Sequence, residues 1–137
     1  MEPKQVIVIR KDLNMRKGKM IAQGSHASMK VFLDLCHKNE YQDDWYEVKK
    51  KLSFIYNPNS SWDLWLNGKF TKVVVSCDSE EELLELYDKA KLNKLPCSLI
   101  VDAGKTEFDG IPTKTCIAIG PSSPEDVDKI TGHLKLL

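Results

Sequence analysis

Residues 5–30, QVIVIRKDLNMRKGKMIAQGSHASMK, decide how the chain folds. Four consecutive β-branched residues, Val6, Ile7, Val8 and Ile9, leave no polar side and predict a strand over Gln5–Arg10 buried on both faces. A short basic loop around Gly18 follows, then a helix from about Lys17 or Gly18 to about His37. At about 100° per residue, Lys19, Gln23, His26 and Lys30 fall within a stripe roughly 60° wide. Ile21, Ala22, Ser25, Met29, Phe32 and Cys36 lie opposite it or to one flank, which predicts that they face the core. An amide, an imidazole and two ammonium groups on one stripe, directly after a buried strand, read as a working surface.

Downstream, the same strand and helix signals recur. Lys72–Cys77 (Val73, Val74, Val75) predicts a second strand, and Ser79 with Glu82 forms a capping box for the next helix. That helix places Leu83, Leu86, Tyr87 and Ala90 at helical spacing and ends before Pro96. Cys97–Val101 predicts a third strand, followed by the loop Asp102-Ala103-Gly104-Lys105-Thr106-Glu107, and Thr115–Ile119 a fourth. Ser123 and Pro124 open a last helix that Gly132 closes. Between the first helix and second strand the signals are weakest. Residues 42–54 read as a helix, Asn57-Pro58-Asn59-Ser60-Ser61 as a break, and 61–67 as a short helix ended by Asn67-Gly68. Trp62 and Trp65, three residues apart, are expected to pack that helix onto the core.

This order predicts a three-layer α/β/α fold with a four-stranded mixed sheet and helices on both faces. Strands one to three, joined by helical crossovers, run parallel; the third and fourth, joined without a helix, allow one antiparallel pair. Ligands gather outside the carboxyl ends of parallel strands. That rule brings Lys19 and the polar stripe towards Asp102 and Thr106, more than eighty positions away.

Charge and composition narrow the function classes. The formal net charge is zero, which argues against a strong general affinity for nucleic acid. It is unevenly spread: residues 1–35 hold seven Lys or Arg against three acids, and residues 78–88 hold six acids with no base. Such polarity suits an anionic ligand. No apolar run is long enough to span a bilayer and no signal peptide opens the chain, so no membrane association is expected. Cys36, Cys77, Cys97 and Cys116 are widely spaced, with no CxxC, which points to a reducing, cytoplasmic compartment. The histidines are too few for a metal site, and no GxSxG, HExxH or GxGxxG occurs.

A carboxylate beside a lysine suits hydrolysis: one orients or deprotonates water, the other stabilises developing negative charge. Taken singly, Asp102 could cap a turn, Thr106 could complete it and Lys19 could be a solvated helix-start lysine. Arg16 and Lys17 beside Lys19, with unpaired N–H groups at the helix start, also suit a phosphate.

The motifs taken together resemble the type 2 (archaeal and eukaryotic-type) peptidyl-tRNA hydrolases. The family signature Arg-x-Asp-Leu-x-Met-x-Lys-Gly-Lys is met by Arg10–Lys19, and Ala-Gln-x-x-His-Ala by Ala22–Ala27. The likeness resumes at Lys72–Val75, Asp78–Leu83, Leu95-Pro96 and Asp102–Glu107, and closes with Ala118–Pro121 and Asp128–Leu137. The resemblance implies one domain over 1–137, a homodimer, no cofactor, and hydrolysis of the ester joining a peptide to the 3′ ribose of tRNA. It implies Lys19, His26, Asp102 and Thr106 as catalytic residues, with Thr113 and Thr115 matching threonines of the last strand. Arg10, Asp12, Arg16, Lys17, Gln23, Lys30 and Lys105 complete the residues expected to bind substrate. Alternatives are a non-catalytic RNA-binding or protein-interaction domain on the same fold, and a hydrolase of a related aminoacyl-tRNA ester. The chain departs from the family in Ile21, in the loop Phe108–Pro112, and in residues 37–64. That last segment, an enlarged helical and loop insertion, leaves a lid, a dimer contact or an added RNA contact open.

Overall fold

The computed structural model describes residues 1–105 and 107–137. Its elements are β1 (Lys4–Arg10), a 3-10 turn (Lys11–Leu13), α1 (Lys17–Leu35), β2 (His37–Gln42), β3 (Val48–Ser53) and α2 (Ser61–Leu66). Then come β4 (Lys72–Cys77), α3 (Glu80–Leu92), β5 (Cys97–Asp102), β6 (Thr113–Ser122) and α4 (Pro124–Thr131). The main sheet has four strands in the order β4-β1-β6-β5, with β1 parallel to β4 and β6 antiparallel to both β1 and β5. The expected mixed sheet is present, and β6 is longer than the predicted Thr115–Ile119.

Alternation along β1 sends its side chains to two cores. Val6 and Val8, register partners of Ile119 and Ile117, pack with Leu83, Leu86, Val127 and Ile130 of α3 and α4. Ile7 and Ile9, opposite Ala118 and Cys116, pack under Ala27 and Val31 of α1. The capping predictions hold: Ser79 Oγ accepts from Glu82 N at 3.0 Å, the Glu82 carboxylate accepts from Asp78 N at 3.1 Å, and Ser123 Oγ accepts from Asp126 N at 3.2 Å.

Helix α1 lies on the sheet by a different face from the one the sequence predicted. Gln23, Gly24, Ala27 and Val31 are buried, whereas Ile21 and Met29 are 70% and 59% exposed. Gly24 lies over Ile7 and Ile9, where a Cβ would stand at ordinary contact distances of 3.6 and 3.8 Å, and Ala27 packs in one cluster with Ala118 and Cys116. Two side chains then tie helix carbonyls to the sheet: Ser98 Oγ donates to Ala27 O at 2.7 Å and Cys116 Sγ to Gln23 O at 3.2 Å. Burial pushes the Cys116 thiol up to about 12, which keeps it protonated and able to donate.

The predicted helix over 42–54 is absent; β2 and β3 form an antiparallel two-stranded hairpin instead. Turn chemistry accounts for the difference. Asp43 Oδ1 accepts from Trp45 N at 3.0 Å and Glu47 N at 2.8 Å, closing the chain on itself at the centre of the segment. The short helix α2 is present, with Trp65 buried and its indole N–H donating to Thr71 O at 2.8 Å. An aromatic chain links these parts: Phe32 to Phe54 (5.0 Å between centroids), Phe54 to Trp62 (4.8 Å) and Trp62 to Trp65 (5.9 Å).

Candidate active site

The first turns of α1, the carboxyl end of β5 and the start of β6 converge on one carboxylate. Asp102, the last residue of β5, accepts at Oδ1 from Lys19 Nζ (2.9 Å) and Gln23 Nε2 (3.2 Å), and at Oδ2 from Gly104 N (2.9 Å). Lys19 and Gln23 are four residues apart on α1, so their side chains stand one above the other and reach the same oxygen. Gln23 is itself fixed from below: Thr115 Oγ1, fully buried on β6, donates to its Oε1 at 2.5 Å. Gly104 carries φ +82°, and a Cβ there would lie 2.3 Å from Ile111 O, so only glycine permits this turn.

The Lys19 and Asp102 side chains keep 15% and 14% of their exposure, so the pair is sheltered yet reachable. The hydrogen bond from Lys19 holds the Asp102 carboxyl below its ordinary value; the Gly104 N–H, the charge of Lys19 and the Gln23 amide act the same way and outweigh partial burial. The group is therefore an anion at neutral pH, a weak base and a strong acceptor. A carboxylate offers about four acceptor positions. Among the described residues three donors occupy Asp102, and the position left on Oδ2 can take the O–H of a water. Lys19 Nζ also stands 5.8 Å from the Phe108 ring centroid, which walls one side.

The remaining predicted residues fall into three groups. Thr115 joins the site from beneath, as the support of Gln23. Arg10 and Asp12 form a forked pair (3.2 and 2.6 Å), and Arg10 also donates to Lys114 O at 3.0 Å, so both brace the end of β1 against β6. Thr113 Oγ1 donates to Ile111 O at 2.8 Å and steadies the entry to β6. On the surface, Lys17 and Lys105 are exposed, Arg16 reaches Glu107 at 3.8 Å, and Lys30 pairs with Asp34 at 3.0 Å. His26 is exposed one turn beyond Gln23, and among the described residues no hydrogen bond joins it to the Lys19–Asp102 pair. Thr106 lies outside the described residues. Ser98, Cys116 and Phe108 escaped the sequence reading, because a serine, cysteine or phenylalanine at a strand or loop position carries no chemical signature. Among the described residues no three His, Cys, Asp or Glu are grouped to hold a metal ion.

Comparison with known proteins places the chain in a family. The family model described as peptidyl-tRNA hydrolase PTH2 matches residues 3–137. The chain belongs to the peptidyl-tRNA hydrolase PTH2 family. A peptidyl-tRNA hydrolase of Methanocaldococcus jannaschii is 48% identical over 134 residues, covering 98% of this chain and 99% of the relative. One from Sulfurisphaera tokodaii is 43% identical, with 100% of both chains covered. A solved structure of a protein of unknown function from Agrobacterium tumefaciens matches with a TM-score of 0.55 at 14% identity, covering 100% of this chain and 98% of its own, a likeness of fold alone. Three of the four residues expected to be catalytic for a PTH2 enzyme are described, and two of those, Lys19 and Asp102, are in direct contact.

The lowered pKa of Asp102 makes a stability prediction. A carboxyl whose folded value lies below its unfolded value of about 3.9 stabilises the fold above that unfolded value. That stabilisation fades as pH falls through the folded value. The stability gap between the native chain and Asp102→Asn, from urea unfolding, is expected to be widest near pH 7 and to narrow below about pH 4. A gap independent of pH would contradict the assignment.

Proposed function

We propose that this PTH2 enzyme hydrolyses peptidyl-tRNA at the Lys19–Asp102 pair. One observation carries this reading: Asp102 is held ionised by three donors, one of them the Lys19 ammonium, with one acceptor position on Oδ2 unoccupied among the described residues. A water held on Asp102 Oδ2 attacks the ester carbonyl carbon, and the C–O bond to the tRNA 3′ oxygen breaks. One proton of the water reaches the departing ribose oxygen and the other passes to solvent, leaving a peptide carboxylate and a tRNA 3′ hydroxyl. Asp102 orients that water rather than stripping it outright, as its lowered pKa makes it a weak base. Lys19 stabilises the negative charge that develops on the carbonyl oxygen. Gln23, propped by Thr115, keeps the carboxylate from rotating. Arg16 and Lys105, both exposed, meet tRNA phosphates, contacts that position the substrate without reading its sequence, whereas Lys17 lines the groove on the other flank of α1. The widely spaced free thiols support a cytoplasmic setting, where translation supplies the substrate.

Homodimer formation belongs to the same reading, and an uncovered apolar face supports it. Helix α1 covers β6, β5 and part of β1, leaving a groove of about 830 Å³ beside it, over β1 and β4. Ile21, Met29, Phe70, Val74 and Leu137 line it at 37–70% exposure. A second copy turned about a two-fold axis brings like face to like, the self-complementary arrangement of most homodimers. The polar stripe of α1 lies on the opposite flank of the helix, so this contact leaves Lys19 open to substrate.

Asp102→Asn is expected to lower single-turnover hydrolysis of an N-blocked aminoacyl-tRNA at least about a hundredfold, with tRNA affinity little changed. Undiminished turnover would remove Asp102 from the reaction. Rapid cleavage of only the free aminoacyl form by the native chain would point to the related-ester hydrolase instead. For assembly, Met29→Glu is expected to convert a dimer into a monomer in sedimentation velocity; an unchanged mass would place the interface elsewhere.

A further inference from the structure

The β2–β3 hairpin takes no part in the Lys19–Asp102 site and contributes no residue to either core. It is nevertheless a built element. Besides the two N–H groups that Asp43 Oδ1 accepts, Asp43 N donates to Glu47 O and Tyr46 N to Asp43 O, both at 3.0 Å. Tyr46 adopts φ 62°, a conformation a tyrosine keeps only where its surroundings impose it. This closed turn holds Trp45 and Tyr46 in solvent at 84% and 82% exposure. Paired large aromatics on a braced tip are a surface made for contact.

The strands supply charge. Within 37–42 and 48–53 four lysines (Lys38, Lys49, Lys50, Lys51) stand against one acid, Glu40, a balance of +3. Register puts His37, Asn39, Tyr41, Lys49 and Lys51 on one face, where the strands carry no carboxylate, and Lys38 and Lys50 on the other, with Glu40 opposite Lys50. In the turn, Lys49 Nζ lies 3.5 Å from both Asp43 and Glu47, while Lys50 and Lys51 form no ion pair among the described residues. Cationic strands with an aromatic tip match a polynucleotide, whose phosphates and base faces need those two kinds of group. They match an anionic membrane less well, because inserting the aromatic tip would carry Asp43, Asp44 and Glu47 into the bilayer interface, whereas stacking on a base leaves these acids in solvent. Position adds a constraint of length. The hairpin leaves α1 at the end remote from Lys19, about 24 Å along the helix axis. Its base is anchored there by the Phe32–Phe54 contact. A ligand touching both places is long.

We propose that the β2–β3 hairpin is a second tRNA-contacting arm. Lys50 and Lys51 meet the phosphate backbone, and Trp45 and Tyr46 stack on exposed bases of the tRNA body, away from the 3′ ester. The proposal rests on the peptidyl-tRNA hydrolase reading and adds to it a contact outside the reacting end.

Two substrates test it: full-length N-blocked aminoacyl-tRNA, and a five-nucleotide RNA bearing the same 3′ ester. The variants are W45A/Y46A and K50E/K51E, each checked for native circular dichroism. On full-length substrate, W45A/Y46A is expected to lower kcat/KM about tenfold or more, through KM. K50E/K51E is expected to flatten the log–log salt dependence of binding by about 1–2. On the short RNA both variants are expected to match the native chain. Unchanged kcat/KM on full-length tRNA with the fold intact would overturn the proposal and leave a protein-docking role for the tip. Equal losses on both substrates would also overturn it, since the hairpin would then act on the site itself. If the native chain cleaves neither substrate, the hydrolase reading is what fails. Titration of deacylated tRNA then decides the arm separately: weaker binding by both variants supports it, and equal affinity overturns it.

Discussion

The closeness with which α1 lies against β5 and β6 sets the position of every group at the site. Helix and sheet meet where Gly24 lies over Ile7 and Ile9 and Ala27 packs with Ala118 and Cys116. Packing alone would let the helix slide along its axis. Ser98 and Cys116 prevent this by donating to the carbonyls of Ala27 and Gln23. Each such bond contributes about 1 kcal/mol net, a modest amount thermodynamically. Their larger effect is geometric, since they fix the helix in register with the strand that ends at Asp102. A shift of one residue along α1 would rotate Lys19 by about 100° and carry it away from the carboxylate.

With that register fixed, the site is a small, sheltered electrostatic device. The Lys19–Asp102 pair keeps about the same low exposure on both partners, 15% and 14%, so its attraction is less screened than that of a surface pair. Hydrogen bonds from Gln23 and Gly104 satisfy oxygens that burial would otherwise penalise. The donors are in place before substrate arrives, so the charge that develops during ester cleavage meets oriented groups rather than water that must reorganise. The buried Thr115–Gln23 contact serves the same end at one remove: it touches no reacting atom and holds the amide that holds the carboxylate.

Much of this could be read in the residues. Runs such as Val6–Ile9 and Val73–Val75, the Ser79–Glu82 box and the Ser123-Pro124 start are local signals, and the elements formed where those signals lay. The pairing of Lys19 with Asp102 followed from topology, because both had to sit at one end of the sheet. Three features were hidden. The buried face of α1 is hidden from the sequence because glycine and glutamine score as non-core residues, yet Gly24 is buried over Ile7 and Ile9 and Gln23 is buried with its amide satisfied. The hairpin at 37–53 was misread because its strands are exposed on both faces and lack alternation, so its one strong signal was the Asp43 turn. The insertion of β6 between β1 and β5 depends on long-range pairing that no window of sequence contains.

The central claim is that Lys19 and Asp102 act as one unit. A double-mutant cycle on single-turnover hydrolysis tests it most directly, using Lys19→Ala, Asp102→Asn and the two combined. If the pair acts as a unit, the double variant is expected to be about as slow as the slower single variant, because either change alone dismantles the arrangement. Losses that multiply in the double variant would show that the two residues contribute independently, and would contradict the account.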